Sequence, residues 1–181
     1  MRVLIHICCA PCLCGPLEAC REEGLQVEGF FYNPNIHPYQ EFSKRLRAVK
    51  VLGERARLPV EFDERYGLSE HLERVRGPVP QRCWECYRVR LERTARRASE
   101  RGFDGFTSSL LVSMRQDHEA IRRIGEDVAR RSGVQWVYRD WRALYEESVR
   151  VAKRMSLYRQ QYCGCIWSEY ERYGSARLGQ M

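Results

Sequence analysis

Apolar residues in this chain fall into short unbroken runs that alternate with longer stretches in which they recur every three or four positions. Unbroken runs of four to seven residues are the mark of strands buried on both faces, and the longer recurrence marks one-sided helices. On that basis strands are predicted over residues 3–7, 27–32, 59–62, 106–112 and 135–138. Helices are predicted over 16–23, 38–57, 68–75, 83–101, 116–131 and 141–155. Gly24 and Gly102 stand where the first helix and the clearest helix should stop. In that clearest helix Cys83, Cys86, Tyr87, Leu91, Thr94, Ala95 and Ala98 share one face. In the helix over 38–57 the face is Phe42, Leu46, Val49 and Leu52.

Strands alternating with helices predict right-handed crossovers and an α/β fold, with a mostly parallel five-stranded sheet flanked by helices. No repeat, low-complexity segment or linker divides the chain, so residues 1–170 read as one domain and 171–181 as a polar tail. In such folds the ligand crevice lies beyond the carboxyl ends of the strands. The residues expected there are Cys8 and Cys9, Asn33 and Asn35, Asp63, Ser113, and Asp140.

The chain has 181 residues, 44% apolar and 30% charged, enough for one well-formed core. No apolar run approaches the roughly 20 residues of a membrane span, and the first run is too short for a signal-peptide core. A cytoplasmic location without membrane contact is therefore expected. The formal net charge is +7, supplied almost wholly by arginine, since Lys44, Lys50 and Lys153 are the only lysines. Such a charge favours polyanionic partners, although an arginine-rich composition has other sources.

Nine cysteines change the picture. A reducing compartment disfavours structural disulfides, so clustered cysteines point to metal or redox chemistry. Eight of them form three groups: Cys8, Cys9, Cys12 and Cys14; Cys83 and Cys86; Cys163 and Cys165. A turn directly after the first strand, helped by Pro11, lets Cys8 and Cys9 approach one centre. The C-x-x-C pair Cys83 and Cys86 opens a helix, where the dipole and nearby arginines favour thiolates. Two such pairs supply the four thiolates of a zinc site or an iron–sulfur cluster. Cys163-Gly164-Cys165 suits a reversible redox pair, since a disulfide in so small a ring is strained, but metal ligation or two buried thiols are also open. Cys20 reads as a core residue, and the role of Cys14 is open.

Five stretches together carry a resemblance. They are His6-Ile7-Cys8-Cys9-Ala10-Pro11-Cys12, Phe31-Tyr32-Asn33-Pro34-Asn35-Ile36-His37-Pro38, Arg82-Cys83-Trp84-Glu85-Cys86-Tyr87-Arg88, Thr107-Ser108-Ser109-Leu110-Leu111-Val112-Ser113, and Leu157-Tyr158-Arg159-Gln160-Gln161-Tyr162-Cys163-Gly164-Cys165. In this order the chain resembles the QueH family of epoxyqueuosine reductases. The resemblance implies a single Rossmann-like (HUP-like) domain and a cobalamin-independent oxidoreductase. The implied reaction reduces the epoxide of epoxyqueuosine, at the wobble position of the tRNA anticodon loop, to queuosine. It implies a [4Fe–4S] cluster on Cys8, Cys9, Cys83 and Cys86, and a redox-active disulfide at Cys163 and Cys165. A second metal ion, iron or zinc, is implied beside the cluster, with Cys12 the first candidate ligand and Cys163 and Cys165 possible partners. Cysteines replace the Ser-Gly-Gly-rich phosphate loop of ATP-using relatives, so no ATP use is expected.

No G-x-G-x-x-G follows a strand, so electrons are expected from an external donor. Candidate acids are His6, His37, Tyr32, Asp63 and Asp140, while Asp117 reads as a helix start. Tyr32, Tyr39, Trp84, Tyr158 and Trp167 are candidates to stack on a base, and Lys44, Arg45, Arg47, Arg82, Arg88 and Arg159 to meet phosphate. The competing readings are a zinc-stabilised RNA-binding module, a thiol–disulfide oxidoreductase, and a tRNA sulfur-transfer enzyme. The missing nucleotide loop argues against the last.

Overall fold

The structure is a computed structural model that describes residues 1–174. Its first strand, β1 (Arg2–His6), lies at the centre of a five-stranded sheet because nothing in it needs water. Val3, Leu4 and Ile5 are fully buried, and so is His6. β2 (Gln26–Phe31) and β4 (Gly105–Ser108) flank it, with β3 (Val60–Phe62) and β5 (Gln135–Trp136) outermost. The order is β3-β2-β1-β4-β5, and every pairing is parallel. The expected α/β architecture is thus observed. The chain reverses its direction of winding between β1 and β4, and there the crevice of a doubly wound sheet opens.

Helices connect and cover the strands: α1 (Ala10–Glu22), α2 (Tyr39–Arg55), α3 (Leu68–Arg74), α4 (Gln81–Glu100), α5 (His118–Ser132), α6 (Tyr145–Arg154) and α7 (Ile166–Tyr173). No described helix is long and apolar enough to cross a membrane. Asp117 caps α5 by accepting a hydrogen bond from the Ala120 amide at 3.0 Å, as its position predicted.

Four elements depart from the sequence reading. α1 begins at Ala10, six residues before the expected start at Pro16, because Pro11 occupies the first turn, where its missing N–H costs nothing. The fourth strand ends at Ser108, and residues 109–112 form a buried 3-10 turn whose apolar run imitates a strand. The helix expected from Trp141 begins with a separate 3-10 turn, Arg142–Leu144. The tail expected from 171 begins inside α7, and its residues 175–181 lie outside those described.

His6 ties the three central strands together. Its Nε2 donates to the Tyr32 carbonyl at 3.2 Å, so the ring accepts at Nδ1 from the Ser108 hydroxyl at 2.9 Å. That arrangement requires the neutral ring. Burial above all, then the charge of Arg90, lowers its pKa to about 4. His71, buried against His37 with ring centroids 5.0 Å apart, is lowered to about 4 by burial and by the neighbouring His37 and Arg90. Both rings are neutral in the fold and take up a proton near 6.5 once unfolded, so their contribution is complete above that value and declines as pH falls toward 4. Each shift corresponds to about 3 kcal/mol. Chemical denaturation of the metal-free protein should show a loss of several kcal/mol between pH 7 and pH 4, and replacing His71 by Gln should flatten that profile.

Candidate metal centre

The chain leaves β1 at its carboxyl end and turns directly into α1, and this short passage carries the first cysteines. Cys9 is the N-cap of α1 in extended conformation, Cys8 precedes it, and Cys12 lies in the first turn. The turn brings the three sulfurs within 4.8 Å of one another. Cys8 and Cys9 Sγ are 3.8 Å apart. A tetrahedral ion with metal–sulfur bonds of about 2.3 Å separates its sulfurs by roughly that distance. The trio therefore forms a possible metal-binding group.

Its thiols share protons unequally. Cys12 and Cys9 donate toward Cys8, and the Ser109 hydroxyl adds a third donor at 3.2 Å, so the Cys8 thiol is pulled well below its usual value. Ser109 also accepts from the Cys8 amide at 3.0 Å. Burial pushes Cys9 upward, and hydrogen bonding to Cys8 raises Cys12. The Gln160 amide approaches Cys9 Sγ at 2.9 Å, while its carbonyl oxygen is buried without a partner.

The second set lies across the crevice. Cys83 and Cys86 stand on the first turns of α4, with Cys83 half-buried and Cys86 buried. Burial raises both thiols, Cys86 to about 12. Together with Cys163, Cys165, His71 and Trp167 they line a narrow pocket. Cys163 also lines a larger cavity of about 330 Å³ that reaches Cys8 and Cys12. Arg90 lines both spaces. All nine cysteines are free thiols in the structure. The predicted cluster ligands Cys8 and Cys9 are thus grouped most closely with Cys12, and Cys83 and Cys86 with Cys163 and Cys165. The spaces beside the two groups adjoin at Cys163, Arg90 and Gln116.

The Cys163-Gly164-Cys165 loop is held from beneath by α2. Arg45, buried and ion-paired with Glu41 at 2.7 Å, donates to the carbonyls of Cys163 at 2.8 Å and Tyr162 at 3.0 Å. Tyr158 donates its hydroxyl to the other Glu41 oxygen at 2.5 Å. The His37 amide donates to the Gly164 carbonyl at 2.7 Å, and Tyr162 donates to the His37 carbonyl at 2.5 Å. Gly164 has φ +137°, and a Cβ there would meet Arg45 Nη1 at 3.0 Å. Only glycine meets both conditions without strain.

Several candidates take structural roles. Arg45 is a buried clamp and does not offer its charge to phosphate, because it is paired with Glu41 and its Nε, Nη1 and Nη2 donate to Glu41 and to the loop carbonyls. Arg88 is paired with Asp127, and Arg82 with Glu171. Asp63 is tied to Arg65 and Asp140 to Arg142, which hold both carboxyls below their usual range. Tyr32 donates to Glu70 at 2.5 Å. Cys20 is core, and Cys14 is buried and donates to the Ala10 carbonyl at 3.4 Å. Trp84 and Trp167 remain exposed, and Arg159 lines the larger cavity. Sequence reasoning gave no role to Arg90, Ser109 or Gln160. Ser109 and Gln160 lie inside the stretches that carried the resemblance, and Arg90 follows one of them by two residues.

The family model described as Epoxyqueuosine reductase QueH matches residues 3–171. The chain belongs to the QueH family. An epoxyqueuosine reductase QueH of Dehalococcoides mccartyi is 38% identical over 173 residues, covering 96% of this chain and 95% of the relative. The protein of that name from Thermotoga maritima is 37% identical over 180 residues, covering 94% and 91%. QueH membership thus extends over all three cysteine groups and the clamp beneath them.

The clamp yields a prediction. Gly164→Ala should cost about 1–3 kcal/mol, because alanine is strained at a φ of +137° and its methyl would crowd Arg45. Urea denaturation measures the loss. A companion Gly24→Ala change, at a φ of +72° with nothing within 4 Å of the new methyl, should leave the reactivity of Cys163 toward a maleimide unchanged, whereas Gly164→Ala should raise that reactivity.

Proposed function

We propose that this chain reduces the epoxide of epoxyqueuosine in tRNA to the alkene of queuosine. Family membership supports the substrate, and the observation that carries the chemistry is two cysteine groups, one around Cys8, Cys9 and Cys12 and one around Cys83 and Cys86, whose adjoining spaces both reach Cys163 and Arg90. The overall change consumes two electrons and two protons, and the epoxide oxygen leaves as water. Cys8, Cys9, Cys83 and Cys86 are the residues we assign to a [4Fe–4S] cluster. The donor set fits, being all sulfur and largely buried, and a buried cation lies beside it. When bound, such a cluster supplies electrons one at a time at low potential. Cys12, whose sulfur lies within 4.8 Å of both Cys8 and Cys9, is our candidate ligand for a second metal ion beside the cluster.

The chain's own residues then have definite tasks. The cavity of about 330 Å³ suits a single extruded base, and Asn35, which lines it, has a buried carbonyl oxygen without a partner. Arg115, Arg159 and Arg172 line the same cavity and offer cations to tRNA phosphates. Gln116 donates to Cys163 Sγ at 3.4 Å and steadies that thiol at the cavity wall. We assign Cys163 and Cys165 as a redox pair. Oxidation of the two thiols to a disulfide releases two electrons and two protons, which balances the loss of water from the epoxide. A low-potential external donor then restores both thiols. Cysteines clustered for metal and redox chemistry suit a reducing compartment, and we place the protein in the cytoplasm.

The test is an anaerobic assay with epoxyqueuosine-containing tRNA and a low-potential reductant, read by nucleoside mass. Wild-type protein should form queuosine. Replacing Cys163 and Cys165 together by serine should reduce turnover at least a hundredfold, on the order of what loss of a nucleophile or acid–base group costs, while the brown colour of the cluster persists. Full activity in that double variant would remove the redox pair from the scheme. Cys12→Ser should lower bound metal by about one ion per chain without loss of acid-labile sulfide, as metal analysis would show.

A further inference from the structure

Among the described residues, the most deeply buried arginine has no carboxylate partner. Arg90 is 1% exposed. Its Nε donates to the Cys86 carbonyl at 2.9 Å, and Nη2 donates to Cys86 Sγ at 3.3 Å. Both acceptors belong to the residue one helical turn earlier, so the i, i+4 spacing on α4 builds the contact into the sequence. Arg45 is buried to nearly the same degree but is neutralised by Glu41 at 2.7 Å. For Arg90 no described carboxylate plays that part. The groups that can offset its charge are Cys86, Cys163, Cys8 and Tyr87. The two histidines its charge reaches, His6 and His71, are held neutral and supply none. A lone buried ion is strongly unfavourable, so this fold holds a positive charge in reserve for anionic sulfur.

We propose that Arg90 is the fixed counter-charge of the cysteine centre and sets how readily that centre accepts an electron. The inference rests on the iron–sulfur reading of the crevice. One-electron reduction of a thiolate-bound cluster adds a negative charge. A buried guanidinium beside a ligand sulfur favours the reduced form, and its hydrogen bond to Cys86 Sγ withdraws electron density from the ligand. Both effects raise the reduction potential. Arg90 is thus a positioning residue: it acts on the substrate through the sulfur centre. Arginine suits the task better than lysine because its planar fork reaches the carbonyl and the sulfur of Cys86 together.

The experiment compares wild type, Arg90→Met and Arg90→Lys after anaerobic reconstitution with iron and sulfide. Each is titrated with dithionite at fixed potentials, and the reduced cluster is read by electron paramagnetic resonance. In Arg90→Met the one-electron reduction equilibrium should fall about tenfold, a shift of about 59 mV to lower potential. In Arg90→Lys, which keeps the charge, it should stay within about threefold of wild type. The metal-free Arg90→Met protein should be at least as resistant to urea as metal-free wild type, since the lone charge is gone. A purely structural arginine would give lower resistance and an unmoved potential, and that pair of results overturns the proposal. Should Arg90→Met hold no cluster, Arg90→Gln, neutral but polar, decides: a potential lowered relative to wild type and to Arg90→Lys supports the proposal, and an unmoved one overturns it. If wild type itself takes up no cluster, the iron–sulfur reading fails and this inference falls with it, an outcome distinct from a loaded wild type whose potential Arg90 does not affect.

Discussion

Burial of β1 on both faces, between two parallel neighbours, governs where the chemistry can sit. Val3, Leu4, Ile5 and Ile7 are wholly inaccessible, and a one-residue slip would force each side chain through the sheet. Register pairs His6 with Phe30 on one side and with Ser108 on the other, which aligns the carboxyl ends of all three strands. His6 locks that alignment through its bonds to Tyr32 and Ser108. The next residues must leave the sheet at the point where its winding reverses, and there the sequence places Cys8 and Cys9. The cysteines are where they are because β1 has no alternative.

Charge is the second organising term, and the molecule handles it in two ways. On α2, Glu41 neutralises Arg45, and the pair together supports the loop that presents Cys163 and Cys165. On α4, Arg90 is left facing sulfur. The first arrangement is architectural: Arg45 spends its donors on backbone carbonyls, so the loop geometry depends on it. The second is chemical: Arg90 lines both the narrow cysteine pocket and the larger cavity, where any negative charge that develops will feel it. Many surface arginines are paired with neighbouring acids, as Arg97 is with Glu61 and Arg139 with Glu23, while Arg115, Arg159 and Arg172 line the cavity.

Much of this was legible in the chain. Apolar runs located all five strands, and periodicity located the long helices α2, α4 and α5 to within a few residues. What was hidden has physical causes. Leu110, Leu111 and Val112 are buried in a 3-10 turn, and a short apolar run cannot distinguish that from a strand. Pro16 looks like a helix start, yet Pro11 occupies that position and Pro16 sits inside α1. α7 is short and none of its residues is buried, so it leaves little apolar signature. The cysteine groups were legible because thiols cluster in sequence. Arg45 and Arg90 were not, because arginine is ordinarily a surface residue and only the packing of α2 and α4 shows these two turned inward. The pairing of Cys12 with Cys8 and Cys9 depended on the true start of α1, which the two prolines obscured.

The central claim is that thiolates from the β1–α1 turn and from the start of α4 share one iron–sulfur centre. The most direct measurement is iron and sulfide content with Mössbauer spectra of anaerobically prepared protein, for wild type and for a Cys86→Ala variant. The account predicts a four-iron, four-sulfide signal in wild type that is lost or degraded in the variant, although Cys8, Cys9 and Cys12 are intact. A full, unaltered cluster in Cys86→Ala, or a wild type that binds only zinc, would contradict it.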